Sequence, residues 1–304
     1  MRIAFIATGD IAIPTFRHLS LTESKPILLI TQPDKPVGRH QALTPPEIKS
    51  IALGFQIPVW QPEKIGQIAA ELTALAPDFI VVMAYGQIIG KSVRQAATKA
   101  IINLHASILP KYRGASCIQS AIDSGDSETG ITVMRVIREL DAGDIITVKK
   151  IPIQPRETAG ELHDRLAEIG PAALSEALEI LSRNPDHGIS QDPARITYSP
   201  KLLRDHGRLD FTQAAESLER RIRAYHPWPE SFTEITIKGK SKRLKIFPPT
   251  AVVDQCIPPG ELLSRDGQLL IGCGEKSLLL TQVQPEGSRQ MPAADFINSL
   301  PAVG

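Results

Sequence analysis

Ala100-Ile101-Ile102-Asn103-Leu104-His105 runs directly into Ala106-Ser107-Ile108-Leu109-Pro110, and Leu140-Asp141-Ala142-Gly143-Asp144 follows further along the chain. The apolar run Ala100-Ile101-Ile102 reads as a buried strand. Side chains alternate along a strand, so Asn103 and His105 leave it on one face, an amide beside an imidazole where the strand ends. In open α/β sheets, ligands bind outside the carboxyl ends of the strands. Asp141 supplies a carboxylate able to orient the imidazole or share its proton. Together the three have the parts of an acyl-transfer site without a covalent nucleophile. Singly, each has a plain structural reading as a turn former, loop punctuation or a solvated turn. Their joint occurrence in this order carries the inference.

Around this stretch, short apolar runs alternate with helix-length amphipathic segments up to about Lys150, the pattern of a mostly parallel sheet covered on both faces. Strands are expected at 2–7, 26–31, 58–60, 78–84, 100–104, 130–137 and 145–151, and helices at 11–19, 47–53, 65–75 and 116–124. The last two strands are too close for a helical crossover and should pair antiparallel. A helix is expected over 158–181, opened by Thr158 and Glu161 in a capping-box pattern. From Asn184 to Arg208 the periodicity is lost and prolines accumulate, as in a linker. Beyond one helix over 212–225, short runs separated by turns at Lys238-Gly239, Pro248-Pro249, Pro258-Pro259-Gly260, Asp266-Gly267 and Gly272–Gly274 suggest a small OB-like β-barrel. The expected organisation is therefore a domain over 1–183, a linker over 184–208 and a second domain over 209–304.

Composition narrows the function class. With 304 residues, 42% hydrophobic and 22% charged, the chain is long enough for two domains with ordinary globular cores. A formal charge of +1 provides no overall field for a polyanion, so binding of one must rest on local patches. Cys117, Cys256 and Cys273 form no C-x-x-C pair and read as packing thiols, with no metal site implied. Asp10 interrupts the apolar N-terminus before a signal-peptide core has formed, and no run approaches membrane-spanning length. A cytoplasmic protein is expected. Thr8-Gly9-Asp10 after the first strand lacks G-x-G-x-x-G, which argues against a dinucleotide site.

Suppose a formyl group is handed to an amine: an oxyanion appears, and an ammonium that must lose its proton. Asn103 can donate to the oxyanion through its amide and a protonated His105 through its ring, while Asp141 favours the imidazolium and can pass protons through a water. H-E-x-x-H and G-x-S-x-G are both absent, in keeping with direct attack. Gln32 to Pro46 is a long connection carrying Lys35, Arg39, His40 and four prolines. It is either functional, guiding a phosphate backbone, or a solvated excursion. Lys238, Lys240, Lys242, Arg243 and Lys245 crowd a second segment; on a strand, Lys238, Lys240 and Lys242 share one face. That segment reads as a phosphate contact or as a soluble hairpin edge. Trp228, between Pro227 and Pro229, reads as an anchor at the domain junction.

Nearly the whole chain resembles the methionyl-tRNA formyltransferases. The resemblance is carried by Thr31-Gln32-Pro33-Asp34-Lys35-Pro36-Val37-Gly38-Arg39, Val82-Met83-Ala84-Tyr85-Gly86, the stretch from Asn103 through Ala115, Glu128-Thr129-Gly130-Ile131-Thr132, Leu140 through Asp144, and Ile222 through Pro229. It implies an α/β formyltransferase sheet of Rossmann-like, mostly parallel form followed by an OB-like domain. It implies 10-formyltetrahydrofolate as co-substrate, no metal, initiator methionyl-tRNA as acceptor, and a monomer. Asn103, His105 and Asp141 become the catalytic residues. Ser107, Ile108, Leu109 and Pro110, with Ala84, Tyr85, Gly86, Gln87, Ile88 and Ile89, become the folate contacts. The loop with Lys35 and Arg39, together with Lys238, Lys240, Lys242 and Arg243, becomes the tRNA contact. The sequence departs from the usual pattern at Ala7-Thr8-Gly9-Asp10-Ile11, where Gly-Thr-Pro-Asp-Phe is common. Gln41 and Ala42 depart where lysine is frequent, and Gly90 and Cys117 where proline is usual. The nearest alternative is a sugar-nucleotide formyltransferase, which shares the chemistry and a similar second domain but typically lacks the Gly38-Arg39 loop.

Overall fold

The computed structural model describes residues 1–38, 41–237 and 240–298. By packing, the chain divides into two compact units, each drawn from more than one stretch. The first comprises Met1–Gly114, Thr129–Ile151 and His163–Tyr198; the second comprises Ala115–Glu128, Pro152–Leu162 and the chain from Ser199 onward.

The first unit is built on the strands β1 (Ile3–Ala7), β2 (Leu28–Ile30), β3 (Lys35–Val37), β4 (Ala42–Thr44), β5 (Val59–Trp60), β6 (Phe79–Met83), β7 (Ala100–His105), β8 (Arg113–Gly114), β9 (Glu128–Arg135) and β10 (Ile145–Pro152). Seven of them form one sheet in the order β10-β9-β7-β6-β1-β2-β5. Pairing is parallel from β5 through β7 and antiparallel between β7 and β9. Backbone bonds from Arg135 N–H to Asp144 O and from Ile153 N–H to Ser127 O run in opposite chain senses, so β9 and β10 form the expected antiparallel hairpin. The strand order turns back at β1, which leaves the carboxyl ends of β1, β6 and β7 side by side. That is the crevice where such sheets take ligands.

Apolar residues line both faces of this sheet because its strands are covered on both sides. Ala4, Ile6, Leu28, Ile30, Ile80 and Val82 form one buried face with Leu72 of α3 (Ala69–Ala74). On the other face Phe5 meets Phe16 of α1 (Ile13–Ser20) edge to face, ring centroids 5.3 Å apart. The helix α2 (Glu47–Gly54) stands where expected, and two of the short elements that were not expected belong to this unit. One is α4 (Lys91–Arg94), too short to show a period; the other is the hairpin of β3 with β4, whose residues are largely exposed and so carry no apolar alternation.

In the second unit, α5 (Cys117–Asp123) and α7 (Ala215–Ala224) are joined by an ion pair of Arg221 with Asp123, Nη2 to Oδ2 3.2 Å. Between them in the chain come α6 (Ala159–Arg183) and β11 (Tyr198–Ser199). The expected capping box is present: Glu161 N–H donates to Thr158 Oγ1 and Thr158 N–H donates to the Glu161 carboxylate. The strands β12 (Ser231–Ile237), β13 (Lys240–Val253), β14 (Leu262–Arg265), β15 (Gln268–Gly272), β16 (Ser277–Pro285) and β17 (Met291–Pro292) form an antiparallel sheet closed over by α8 (Ala293–Ile297). Leu218, Ile222, Leu244, Leu269, Leu278 and Phe296 meet in its core. The turn expected at Pro248-Pro249 is instead a register shift inside β13, whose pairing with β16 resumes at Thr250. Two prolines supply no N–H to the ladder, and a bulge accommodates them without ending the strand.

Cys117 and Cys273 are buried as packing thiols, whereas Cys256 is exposed. Trp228 leaves 46% of its surface exposed, so it is not a buried anchor. Among the described residues, no helix is long and apolar enough to cross a membrane.

Asp10, just past β1, is held by His163 of α6, Oδ1 to Nε2 3.1 Å, while His163 Nδ1 faces Asp164 Oδ1 at 2.9 Å. The hydrogen bond with Asp10 raises His163 from 6.5 to about 8, and the same bond lowers Asp10 below the usual carboxylate range. A raised histidine stabilises the folded state fully below about 6.5 and loses that contribution as pH climbs through about 8. His163→Ala is therefore expected to flatten the decline in unfolding free energy across that window, as read by urea titration at several pH values. An unchanged pH slope would show that the pair contributes nothing.

Candidate active site

The end of β7 presents the expected residues. Asn103 is partly exposed, and its side chain makes no hydrogen bond among the described residues, which leaves the amide able to donate outward. His105 is 6% exposed and sits in register with Thr132 of β9. Thr132 determines the course of the loop that follows. Its Oγ1 donates to Ser107 O at 2.6 Å and accepts Leu109 N–H at 3.1 Å, while Ser107 Oγ donates to Lys111 O at 2.7 Å. Ser107, Leu109 and Pro110 are buried and Ile108 is partly exposed, so Ile108 is what this turn offers a ligand.

Asp141 and His105 meet. Asp141 Oδ2 lies 3.7 Å from His105 Nδ1, in ion-pair range but beyond hydrogen-bond length. The same oxygen accepts Gly114 N–H at 2.8 Å. On the other side of the ring, Nε2 is 2.9 Å from Tyr112 O. A carbonyl only accepts, so Nε2 carries the proton there. The ring N–H expected to aim at an oxyanion thus has an acceptor within the protein, and what His105 turns toward the site is the charge it gains on protonation.

At the adjacent strand end, the 84–89 loop is tied down from within. Thr8 and Gly9 donate their N–H groups to Ala84 O, and Gln32 Nε2 donates to Tyr85 O at 2.6 Å. Gln87 bonds Ile65 N–H and Glu63 O. Tyr85 and Ile89 are buried in the core, and burial pushes the Tyr85 phenol up to about 12. Their side chains therefore anchor the loop. Ala84, Gly86 and Ile88 face outward, Ile88 with 85% of its surface exposed. Gly86 has φ +83, the left-handed region that glycine adopts without the cost of a Cβ.

The cationic residues are divided. Lys35 is exposed on β3, where Nζ donates to Gln32 Oε1 at 2.5 Å. Arg39 and Lys238 lie outside the described residues. Lys240 and Lys242 share a face of β13 with the core residues Leu244 and Ile246 at its exposed end. Arg243 is on the opposite face, its guanidinium 4.0 Å from the centroid of Phe232. The segment therefore does not present one basic face.

Sequence reasoning missed Thr132, Gln32, Arg113 and Gln191. Thr132 and Gln32 lie within stretches already singled out, but their hydrogen bonds depend on strand register. Gln191 sits in the aperiodic stretch expected as a linker, and nothing local marks it. Arg135 donates to Pro185 O and His187 O, and Ile145 and Ile189 exchange backbone bonds, so this stretch is built into the first unit.

A family model described as "Formyl transferase" matches residues 1–178, and one described as "Formyl transferase, C-terminal domain" matches 201–301. The methionyl-tRNA formyltransferase of Akkermansia muciniphila is 48% identical, over 99% of this chain and 97% of that protein. The chain belongs to the methionyl-tRNA formyltransferase family. The fold is shared with solved structures of much lower identity. A methionyl-tRNA formyltransferase from Clostridium thermocellum aligns with TM-score 0.58 and 16% identity over 92% of this chain and 98% of that one. An N-formyltransferase from Helicobacter canadensis, solved with folinic acid and dTDP-3-aminofucose, aligns with TM-score 0.69 and 16% identity over 96% of this chain and 100% of that one.

Thr132→Val keeps shape and removes the hydroxyl shared by Ser107 O and Leu109 N–H. Leaving those groups unpaired is expected to lower the unfolding free energy by about 1–3 kcal/mol. The KM for the folate substrate should rise as the turn loosens. Denaturant titration and steady-state kinetics read both, and wild-type values for the two would rule out this hydroxyl as the holder of the loop.

Proposed function

We propose that the protein transfers the formyl group of 10-formyltetrahydrofolate to the free amine of initiator methionyl-tRNA, giving N-formylmethionyl-tRNA for translation initiation, and that it works as a cytoplasmic monomer. Family membership along the full length supports the acceptor. The chemistry rests on one observation: an uncommitted Asn103 amide beside a His105 that faces Asp141 at 3.7 Å, at a sheet edge bordered by the loops 84–89 and 107–110.

The folate takes the edge formed by 84–89 and 107–110. Ile88 and Ile108, exposed and partly exposed, give the pterin ring apolar contact. The amine lone pair attacks the formyl carbon and the carbonyl π pair moves to oxygen. Asn103 donates to that oxyanion, a directed contact worth about 3 to 4 kcal/mol in such sites. His105, donating to Tyr112 O through Nε2, takes positive charge opposite the oxyanion, and Asp141 balances it. The proton lost by the ammonium passes by way of the His105–Asp141 pair to N10. The oxyanion pair re-forms the carbonyl as the C–N10 bond breaks, the electron pair of that bond stays on the protonated nitrogen, and tetrahydrofolate leaves. The two protonation sites act as a coupled pair. Lys35, Arg39, Lys240, Lys242 and Arg243 supply local contacts to the acceptor's phosphates, with Lys238 beside them in sequence.

The protein incubated with radiolabelled 10-formyltetrahydrofolate should label Met-tRNA, and neither an amino-sugar nucleotide nor buffer should collect the formyl group. Label on the sugar in place of the tRNA overturns the proposal. His105→Ala and Asp141→Ala should each slow turnover by at least about 100-fold with folding retained, the scale of acid–base effects. Arg39→Ala is expected to raise the KM for Met-tRNA far more than that for folate and to lessen its salt dependence. Equal rises in both would argue against a tRNA-directed role for this residue.

A further inference from the structure

Gln191 lies at the back of the Asp141 turn. Its Nε2 donates to Asp141 O and to Gly143 O, each at 2.8 Å. Its Oε1 accepts both Nε (3.0 Å) and Nη2 (2.7 Å) of Arg113, a residue that is itself buried. The amide is thereby fixed in one orientation, because the guanidinium only donates and the two carbonyls only accept. The turn it grips needs gripping. Asp141 stands at φ +51, a left-handed conformation unfavourable for a residue with a Cβ, and such geometry persists only where the surroundings over-determine it. Gly143 packs so closely on Arg135 O that a Cβ there would lie 1.9 Å away. Arg113 precedes Gly114, whose N–H holds the Asp141 carboxylate, and follows Tyr112, whose carbonyl holds His105.

We propose that Gln191, oriented by Arg113, is a positioning residue that fixes the Asp141 carboxylate against His105. One amide and one guanidinium then connect the Asp141 backbone to the segment 112–114, which meets both the His105 ring and the Asp141 carboxylate. This rests on the reading of Asp141 as catalytic. The Gln191 amide is spent on Asp141 O, Gly143 O and Arg113, so its loss acts first on the Asp141 turn. Displacement of a catalytic group by about 1 Å can cost up to about 100-fold in rate.

The test uses the full-length protein with 10-formyltetrahydrofolate and Met-tRNA, in wild type and in Asp141→Ala. Gln191→Glu is isosteric and keeps the Arg113 partner but sets oxygen against two carbonyls; Gln191→Ala removes the whole clamp. Both are expected to lower kcat about 10- to 100-fold while each KM stays within about twofold. Gln191→Glu should stay folded through its pair with Arg113, so that it reads even where Gln191→Ala folds poorly. Placed on Asp141→Ala, where single turnovers are followed, neither substitution should slow the reaction further. Wild-type kcat in Gln191→Glu overturns the inference, as does a loss that adds fully to that of Asp141→Ala. Normal turnover in Asp141→Ala alone would instead overturn the catalytic reading of that carboxylate, and the inference with it.

Discussion

The antiparallel pairing of β9 against β7 is the constraint on which the site depends. A parallel sheet brings strand ends to one edge, and that alone sets Asn103 and His105 beside the loop after β6. It does not deliver a carboxylate. By running back along β7, β9 starts the hairpin to β10 at the opposite end from the crevice's own loops. The hairpin must then be shaped to return Asp141 to His105. The strained backbone at Asp141 and the close approach of Gly143 to Arg135 O are the local cost of that return. The 184–191 stretch, hydrogen-bonded along β10 and the turn, holds it in place.

Polar groups around the site are satisfied almost entirely by backbone. Ser107 bonds Lys111 O, Thr132 bonds Ser107 O, His105 bonds Tyr112 O and Asp141 accepts Gly114 N–H. Buried groups paired in this way do not reorganise when charge develops nearby, which is what makes an electrostatic contribution large. Asn103 is the exception. Its amide has no protein partner among the described residues, so its hydrogen-bonding capacity is left for the reacting carbonyl. Had the Tyr112 carbonyl not taken His105 Nε2, the ring would be free to turn toward either Asp141 or the substrate. The ring is held between the Tyr112 carbonyl and the Asp141 carboxylate.

Much of this was legible in the sequence because strands and their ends carry strong local signals. The alternation through Asn103-Leu104-His105 and the apolar runs at β1, β6 and β7 gave the sheet and its active edge. The capping pattern of Thr158 and Glu161 gave the start of α6. What was not legible depends on register or on contacts distant in sequence. Pro248-Pro249 looks like a turn until the ladder on either side shows that β13 continues through it. The β3–β4 hairpin buries almost nothing and so has no apolar period to reveal it. Gln191 is a lone polar residue in an aperiodic segment, and its importance arises only from two carbonyls and a guanidinium brought to it by the fold. The role of the His105 ring also required coordinates, since a sequence cannot show which nitrogen meets Tyr112 O.

Choice of acceptor must come from outside this closed set of hydrogen bonds. A formyl carbon, an amine and an oxyanion look the same to Asn103 and His105 whatever carries the amine, so chemistry alone gives no discrimination. A net charge of +1 gives no long-range attraction to a polyanion either. Local cations remain, and the fold separates them. Lys245 is paired with Glu230 and Arg243 lies over Phe232, while Lys240 and Lys242 are exposed on the other face of β13 and Lys35 stands on a hairpin of the first unit. Cations divided in this way cannot act as one sticky patch for any phosphate chain. Discrimination within each unit then rests on where single cations stand and not on total charge.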